Sequence, residues 1–173
     1  MIEKLIPDMY YENIYKINYK KLLKKGIKCI LFDLDNTIAP VKNHEISKET
    51  KELFFELKEM GFKLIIVSNS PKKRIEPFKN GLEVDASALS MKPSKKKYIK
   101  ILNTFNFTEN EVAAIGDQLL TDILGANNMH LTSILVDPIS KDGKATIFNR
   151  FIEKRIMNKF EKKDLFTKGK YYE

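Results

Sequence analysis

Residues 30–40 read ILFDLDNTIAP, an apolar run that delivers the chain into two aspartates, Asp33 and Asp35. Four to six consecutive apolar residues, as in KCILFD (28–33), suit a short strand buried on both faces of a sheet. Two carboxylates at the end of such a strand repel each other and raise each other's pKa. Something must offset that repulsion, and the candidates are a metal ion or shared proton chemistry.

Outward from this stretch the chain alternates. ISKETKELFFELKEMG (46–61) has helical spacing of Ile46, Leu53, Phe54 and Leu57, with Ser47 as a cap and Gly61 as a stop. KLIIVS (63–68) repeats the buried-strand pattern. SPKKRIEPFKNG predicts a short helix with Ser70 as cap and Pro71 at its first position. SKKKYIKILNTF (94–105) is helical. Thr108 and Glu111 form a capping box ahead of a strand at Val112–Ile115, LTDILGANN is helical, and SILVD (133–137) is a strand again. The residues before Gly26 read as a polar, helical beginning. Strands alternating with helices predict an α/β fold, a Rossmann-like parallel sheet with helices on both faces.

In such sheets ligands bind at the carboxyl ends of the strands. Asp33, Ser68 and Asp117 each follow an apolar strand, so all three fall on that one edge. Turn propensity accounts for any one of them; three together favour a site. A carboxylate nucleophile with an acid/base partner suits phosphoryl transfer through an aspartyl-phosphate. A phosphate dianion approaching these acids needs a cation, and Asp33, Asp117 and a backbone carbonyl offer the hard oxygens that Mg²⁺ prefers. Lys92, in SMKPSKKK, reads as solvated surface when taken alone. Its place between Ser68 and Asp117 makes it a candidate to balance the carboxylates and the phosphoryl group.

These residues carry a resemblance. DLDNT, VSNS, KP and GDQLLTD resemble, in order, the four motifs of the haloacid dehalogenase (HAD) superfamily. The resemblance implies a HAD-like fold. It implies Asp33 as nucleophile, Asp35 as general acid/base, and Ser68, Asn69 and Lys92 as phosphate ligands. It further implies Mg²⁺ bound by Asp33, the Asp35 carbonyl and Asp117, with Thr37 and Asp122 in support. An acid at position 35 implies a phosphatase, because members that cleave halides or phosphonates lack one there. The chain as a whole, from LIPDMYYENIYKI through GIKCILFDLDNT, VSNS and GDQLLTD, resembles the YqeG-type class IIIA phosphatases, relatives of the mitochondrial phosphatidylglycerophosphate phosphatase. That implies phosphatidylglycerophosphate as substrate and a place in phospholipid synthesis.

Too few residues separate the motifs for a cap domain, so the site is expected to be open, or closed by a neighbouring subunit. An open site suits a phosphate carried on something large, such as a lipid head group. A soluble phosphatase for a small sugar or nucleotide phosphate is the first alternative. A non-catalytic RNA- or protein-binding scaffold is the second, disfavoured because every catalytic position is filled.

Composition sets the outer limits. The 173 residues, 43% hydrophobic and 31% charged, suit a single domain over 1–173, with a core at 26–140 and basic helical ends. No stretch approaches a transmembrane length, and MIEKLIPDMYYEN lacks the pattern of a signal peptide, so the expected location is cytoplasmic. The lone Cys29 excludes a disulfide framework and is expected to be buried and inert. The net charge of +8 suits anionic lipid, anionic substrates, nucleic acid, or simply a solvated surface. Tyr10, Tyr11, Tyr15 and Tyr19 read as helix-packing aromatics rather than base-stacking ones, so nucleic acid is not the expected partner. His44 and His130 are isolated and receive no role. Ile147, Phe148, Phe151, Ile152, Ile156 and Phe160 share a helical face, with Arg150, Lys154, Lys159 and Lys163 mostly off it. That face suits either the protein's own sheet or an anionic surface at the inner membrane face. The last few residues are expected to fray.

Overall fold

The computed structural model describes residues 2–140, 144–163 and 165–173. Among these residues six strands form one parallel sheet: β1 (Met9–Tyr11), β2 (Cys29–Phe32), β3 (Lys63–Val67), β4 (Asp85–Ser87), β5 (Val112–Gly116) and β6 (Thr132–Val136). Their order is β1-β6-β5-β2-β3-β4. From β2 the chain builds outward through β3 and β4. It then crosses back to the other side of β2 through β5 and β6. The order therefore reverses between β2 and β5, which opens a crevice at their carboxyl ends.

Among the described residues six α-helices accompany the strands: α1 (Tyr19–Lys24), α2 (Lys48–Glu59), α3 (Lys72–Leu82), α4 (Lys95–Phe105), α5 (Leu124–Asn128) and α6 (Lys144–Glu161). Alternation along each strand divides the core between the two faces. Ile30, Phe32, Leu64 and Ile66 pack on one side with Phe54 and Leu57 of α2 and Ile75, Phe78 and Leu82 of α3. Cys29, Leu31, Ile65 and Val67 face the other way, onto Tyr98, Ile101 and Leu102 of α4 and Ala126 of α5. The Phe32 and Phe54 rings lie 4.8 Å apart, tying β2 to α2. Truncating either ring to alanine would cost about 3–5 kcal/mol. Cys29 is buried among these groups, and burial pushes its thiol up to about 12.

The predicted central elements stand to within a few residues. Ser47 caps α2 by accepting the Thr50 N–H at 3.0 Å, and Gly61 follows the helix at φ +92°. The Glu111 carboxylate accepts the Thr108 N–H at 2.9 Å, although the turn it closes is 3-10. The start of the chain differs from expectation. Met9–Tyr11 is a strand, paired in parallel with Ile134–Val136, so Tyr10 and Tyr11 pack from a sheet edge rather than from a helix. Strand propensity of adjacent tyrosines won over a polar context. Ser70 does not cap α3; Pro71 takes the cap position and the Ser70 hydroxyl is drawn to the Asp35 carboxylate, the stronger acceptor.

The tail does not fray. Tyr10 and Tyr172 exchange backbone hydrogen bonds at 2.8 and 2.9 Å, and the Tyr172 hydroxyl donates to Pro7 O at 2.7 Å. Phe160 of α6 and Phe166 of the tail are buried against Tyr10, Leu119, Ile123 and Leu135. One end of the predicted apolar stripe is therefore committed to the protein's own core; Ile156 and Met157 pack against it as well. Phe151 points outward, and Ile147, Phe148 and Arg150 lie outside the described side chains. Among the described residues no helix is long and apolar enough to cross a membrane.

Candidate active site

Three side chains meet at the crevice because two neighbouring parallel strands, β2 and β5, end there. The Asp33 N–H donates to Ile115 O at 2.9 Å, extending the β2–β5 ladder by one bond and placing Asp33 beside the end of β5. Asp117 follows β5 directly. Asp122 comes back from the wide helical turn Leu119–Ile123, where the Gln118 N–H donates to its carboxylate at 3.1 Å. Gly116 makes this return possible: a Cβ there would overlap the Asp122 side chain. Carboxylate oxygens of Asp33, Asp117 and Asp122 lie within 4.8 Å of one another, all three residues buried.

Lys92 enters this acidic nest from the loop between β4 and α4. Its ammonium lies 2.6 Å from Asp33 Oδ1 and 2.6 Å from Asp122 Oδ1. Burial pulls its pKa down, but Asp122 and Asp33 outweigh burial and hold it charged. Burial pushes the Asp33 carboxyl up to about 7, against the opposing pull of Lys92 and with the help of Asp122 and Asp35. One lysine among three buried carboxylates leaves the nest electron-rich. Closely spaced hard oxygens of this kind fit a divalent metal ion.

The other predicted residues take distinct places. Ser68 is buried at the end of β3, and its hydroxyl oxygen accepts the Ser70 N–H at 3.1 Å. Asn69 follows Ser68 and is exposed. Its amide clamps the Lys92 backbone, accepting the Lys92 N–H at 2.7 Å and donating to Lys92 O at 3.3 Å. A primary amide matches both groups of one peptide residue, so its role is to fix the lysine loop. Thr37 is buried in the turn after Asp35. Asp35 stands apart from the carboxylate trio. Arg74 Nε donates to its Oδ1 at 3.0 Å, Arg74 Nη2 lies 2.9 Å from the same oxygen, and the Ser70 hydroxyl donates to Oδ2.

Arg74 is the site residue that the sequence reading missed. It is buried, stacks on Phe78 at 4.8 Å and also donates to the carbonyls of Pro40 and Asn43. It joins the loop after Asp35 to α3. Nothing in the spacing marks it: the arginine stands beside lysines in SPKKRIEPF, and its partner Asp35 lies on another segment.

Between Asp35 and β3 the chain forms one turn and α2; between Ser68 and Lys92 it forms α3 and β4. Neither stretch makes a separate cap. The three carboxylates are recessed, and beside Asp117 a cavity of about 450 Å³ opens between Leu135, Pro138, Met157 and Lys168.

Against known proteins, residues 2–140 match the family described as mitochondrial PGP phosphatase. Over 165 residues the chain is 36% identical to a probable phosphatase, YqeG, of Bacillus subtilis, covering 94% of this chain and 96% of that one. Among solved structures, a HAD phosphatase from Thermococcus onnurineus matches with a TM-score of 0.57 at 17% identity, over 68% of this chain and 90% of its own. The D,D-heptose 1,7-bisphosphate phosphatase from B. bronchiseptica, solved with magnesium and phosphate, matches with a TM-score of 0.53 at 17% identity, over 63% and 80%. At that identity the two structures share the fold.

Proposed function

This chain belongs to the mitochondrial PGP phosphatase family within the HAD phosphatases and is a phosphomonoester hydrolase, and on that footing we propose that it converts phosphatidylglycerophosphate to phosphatidylglycerol and inorganic phosphate. The observation that carries the chemistry is the convergence of Asp33, Asp117, Asp122 and Lys92 at the crevice between β2 and β5.

Asp33 acts as nucleophile. Its carboxylate oxygen bonds to phosphorus, the bond from phosphorus to the lipid oxygen breaks, and an aspartyl-phosphate forms. Asp35 gives the departing oxygen a proton. It then takes a proton from the water that attacks the phosphorus, releasing inorganic phosphate and restoring Asp33. Arg74 and Ser70 together hold both oxygens of Asp35, so proton delivery requires one of these contacts to yield. The Ser68 hydroxyl and the Lys92 ammonium hold the phosphoryl oxygens, and Asp122 keeps Lys92 in place. Asp33, Asp117 and the Asp35 main-chain carbonyl would hold Mg²⁺, which supplies charge neutralisation and orientation of the phosphate. The missing cap favours a substrate whose bulk stays outside the crevice, as a lipid does.

The test is phosphate release from detergent-dispersed phosphatidylglycerophosphate, beside sugar and nucleotide monophosphates. The lipid should show the highest kcat/KM. Faster turnover of a sugar or nucleotide phosphate would assign the chain a small soluble substrate instead.

A further inference from the structure

We propose that the catalytic edge of the sheet is itself a membrane-docking surface, which seats the mouth of the crevice on an anionic bilayer through Leu89, Met91 and Ile139 and through the lysines that begin α3 and α4. This deepens the lipid-phosphatase reading and rests on it for its purpose, while its test needs no turnover.

The loop between β4 and α4 is the first observation. Leu89 is 60% exposed and Met91 is 73% exposed, directly before the site lysine. Their φ angles are +46° and +56°, a left-handed backbone that bulky side chains rarely adopt and that glycine, asparagine or aspartate fill at less cost. The loop is firmly held. The Leu89 N–H donates to Ser70 O at 3.1 Å, the Ser90 N–H to Ser68 O at 3.0 Å, and the Ser94 N–H to Met91 O at 2.8 Å. Two large apolar side chains are thus presented to solvent by a fixed turn, in a conformation that does not favour them. Packing gives no reason for either.

Ile139 answers them across the crevice. It is 47% exposed, and its N–H donates to Asn36 O at 3.0 Å, which fixes it beside the Asp33–Thr37 turn. Apolar tips therefore flank the site on both sides.

The charges supply the second observation. In a parallel sheet, α3 and α4 begin at the same edge at which β3 and β4 end. Their first turns contain no acid, although acids are preferred there. They carry lysines instead. Lys72 lies 4.0 Å from Glu76. Lys73, Lys95 and Lys96 are exposed and, among the described residues, form no ion pair. Apolar tips that enter the head-group layer and lysines that meet lipid charge are the two components of interfacial binding. The terminal helix α6, whose apolar face suited either the protein's own sheet or a membrane, has Phe160 buried and Ile156 packed on the protein's own core, which leaves the catalytic edge as the better-equipped face.

The experiment is co-sedimentation of the intact chain with vesicles of phosphatidylcholine alone and of phosphatidylcholine mixed with phosphatidylglycerol. Wild-type protein should bind the mixed vesicles in a salt-sensitive way and bind the neutral ones weakly. The double variant Leu89→Asn/Met91→Asn should bind roughly tenfold more weakly. Asparagine accepts a left-handed backbone, so this variant should melt no lower than wild type. Lys95→Gln/Lys96→Gln should weaken binding and flatten its salt dependence. Phe55→Ser, at an exposed aromatic on α2, should leave binding unchanged. Wild-type protein that stays in the supernatant at low salt, or a Leu89/Met91 variant that binds as wild type does, would overturn the proposal. Turnover of a water-soluble phosphomonoester, measured separately, reports on the phosphatase reading whichever way the vesicles answer.

Discussion

Lys92 Nζ is equidistant from Asp33 Oδ1 and Asp122 Oδ1, at 2.6 Å from each, so a single buried cation joins the strand that bears the proposed nucleophile to the turn after β5. Removing the cation would leave two buried carboxylates without it, at a cost of about 3–5 kcal/mol. Lys92→Ala should therefore lower both the melting temperature and phosphate release, the latter by at least about a hundredfold. Near wild-type melting would show that the pair carries little of the stability.

Asp33→Asn should abolish phosphate release and leave the fold intact. It should also change how stability depends on pH in chelator. Burial raises the folded-state pKa of Asp33 from 3.8 to about 7, so the folded protein holds this proton more firmly than the unfolded chain does. That contribution is fully present below the unfolded value and is lost as pH climbs toward about 7. Metal-free wild type should lose stability across that window, and the Asn variant should show less of the loss. Thermal melts of both proteins across that range give the comparison.

Metal binding should be visible without catalysis. At a Mg²⁺ concentration of about 100 times Kd the folded state gains about 2.7 kcal/mol, a rise in melting temperature of about 5–10 °C. Asp117→Ala should lose most of that rise, and chelator should stop phosphate release by wild type. An unchanged melt on adding Mg²⁺, with full activity in chelator, would remove the metal from the mechanism.

Arg74 is a positioning residue for Asp35. Arg74→Ala should lower kcat about 10–100-fold with a smaller change in KM, because the displaced group acts on the bond being broken rather than on substrate binding. Lysine should not rescue it. A point charge cannot serve Asp35, Pro40 O and Asn43 O together as the planar guanidinium does. A change confined to KM would place Arg74 in binding instead.

The tail contributes to the core, so ending the chain at Lys163 should uncover Tyr10 and Phe160 and lower the melting temperature by at least about 5 °C. Wild-type melting of the shortened protein would show that the tail rests on a surface complete without it.

Much of this molecule was legible in its sequence. The strands β2, β3, β5 and β6 announce themselves as apolar runs because both of their faces are buried, and the site residues follow them at fixed offsets. Elements held mainly by their neighbours left no such trace. The three residues Asp85–Ser87 have no apolar pattern and become a strand through pairing with Ile65–Val67. Met9–Tyr11 depends likewise on β6. At the site, Asp33, Ser68, Lys92, Asp117 and Asp122 stood in motifs. The partnership of Arg74 with Asp35 depends on how α3 packs, and the engagement of Asn69 by the lysine loop depends on how that loop closes. Neither relationship is encoded by spacing along one element.

The position of β1 shapes how the molecule is born. Its neighbour β6 leaves the ribosome far later than it does: Asp8 and Ser133, which join the two segments through a hydrogen bond of 2.8 Å, are 125 positions apart. The inner strands β2 and β3 can pair long before β1 finds its place, while the other edge of β2 stays open until β5 and β6 emerge. During that interval a nascent chain would offer an unsatisfied strand to any passing partner, which makes the late closure of this edge the step at which a chaperone would have most to protect.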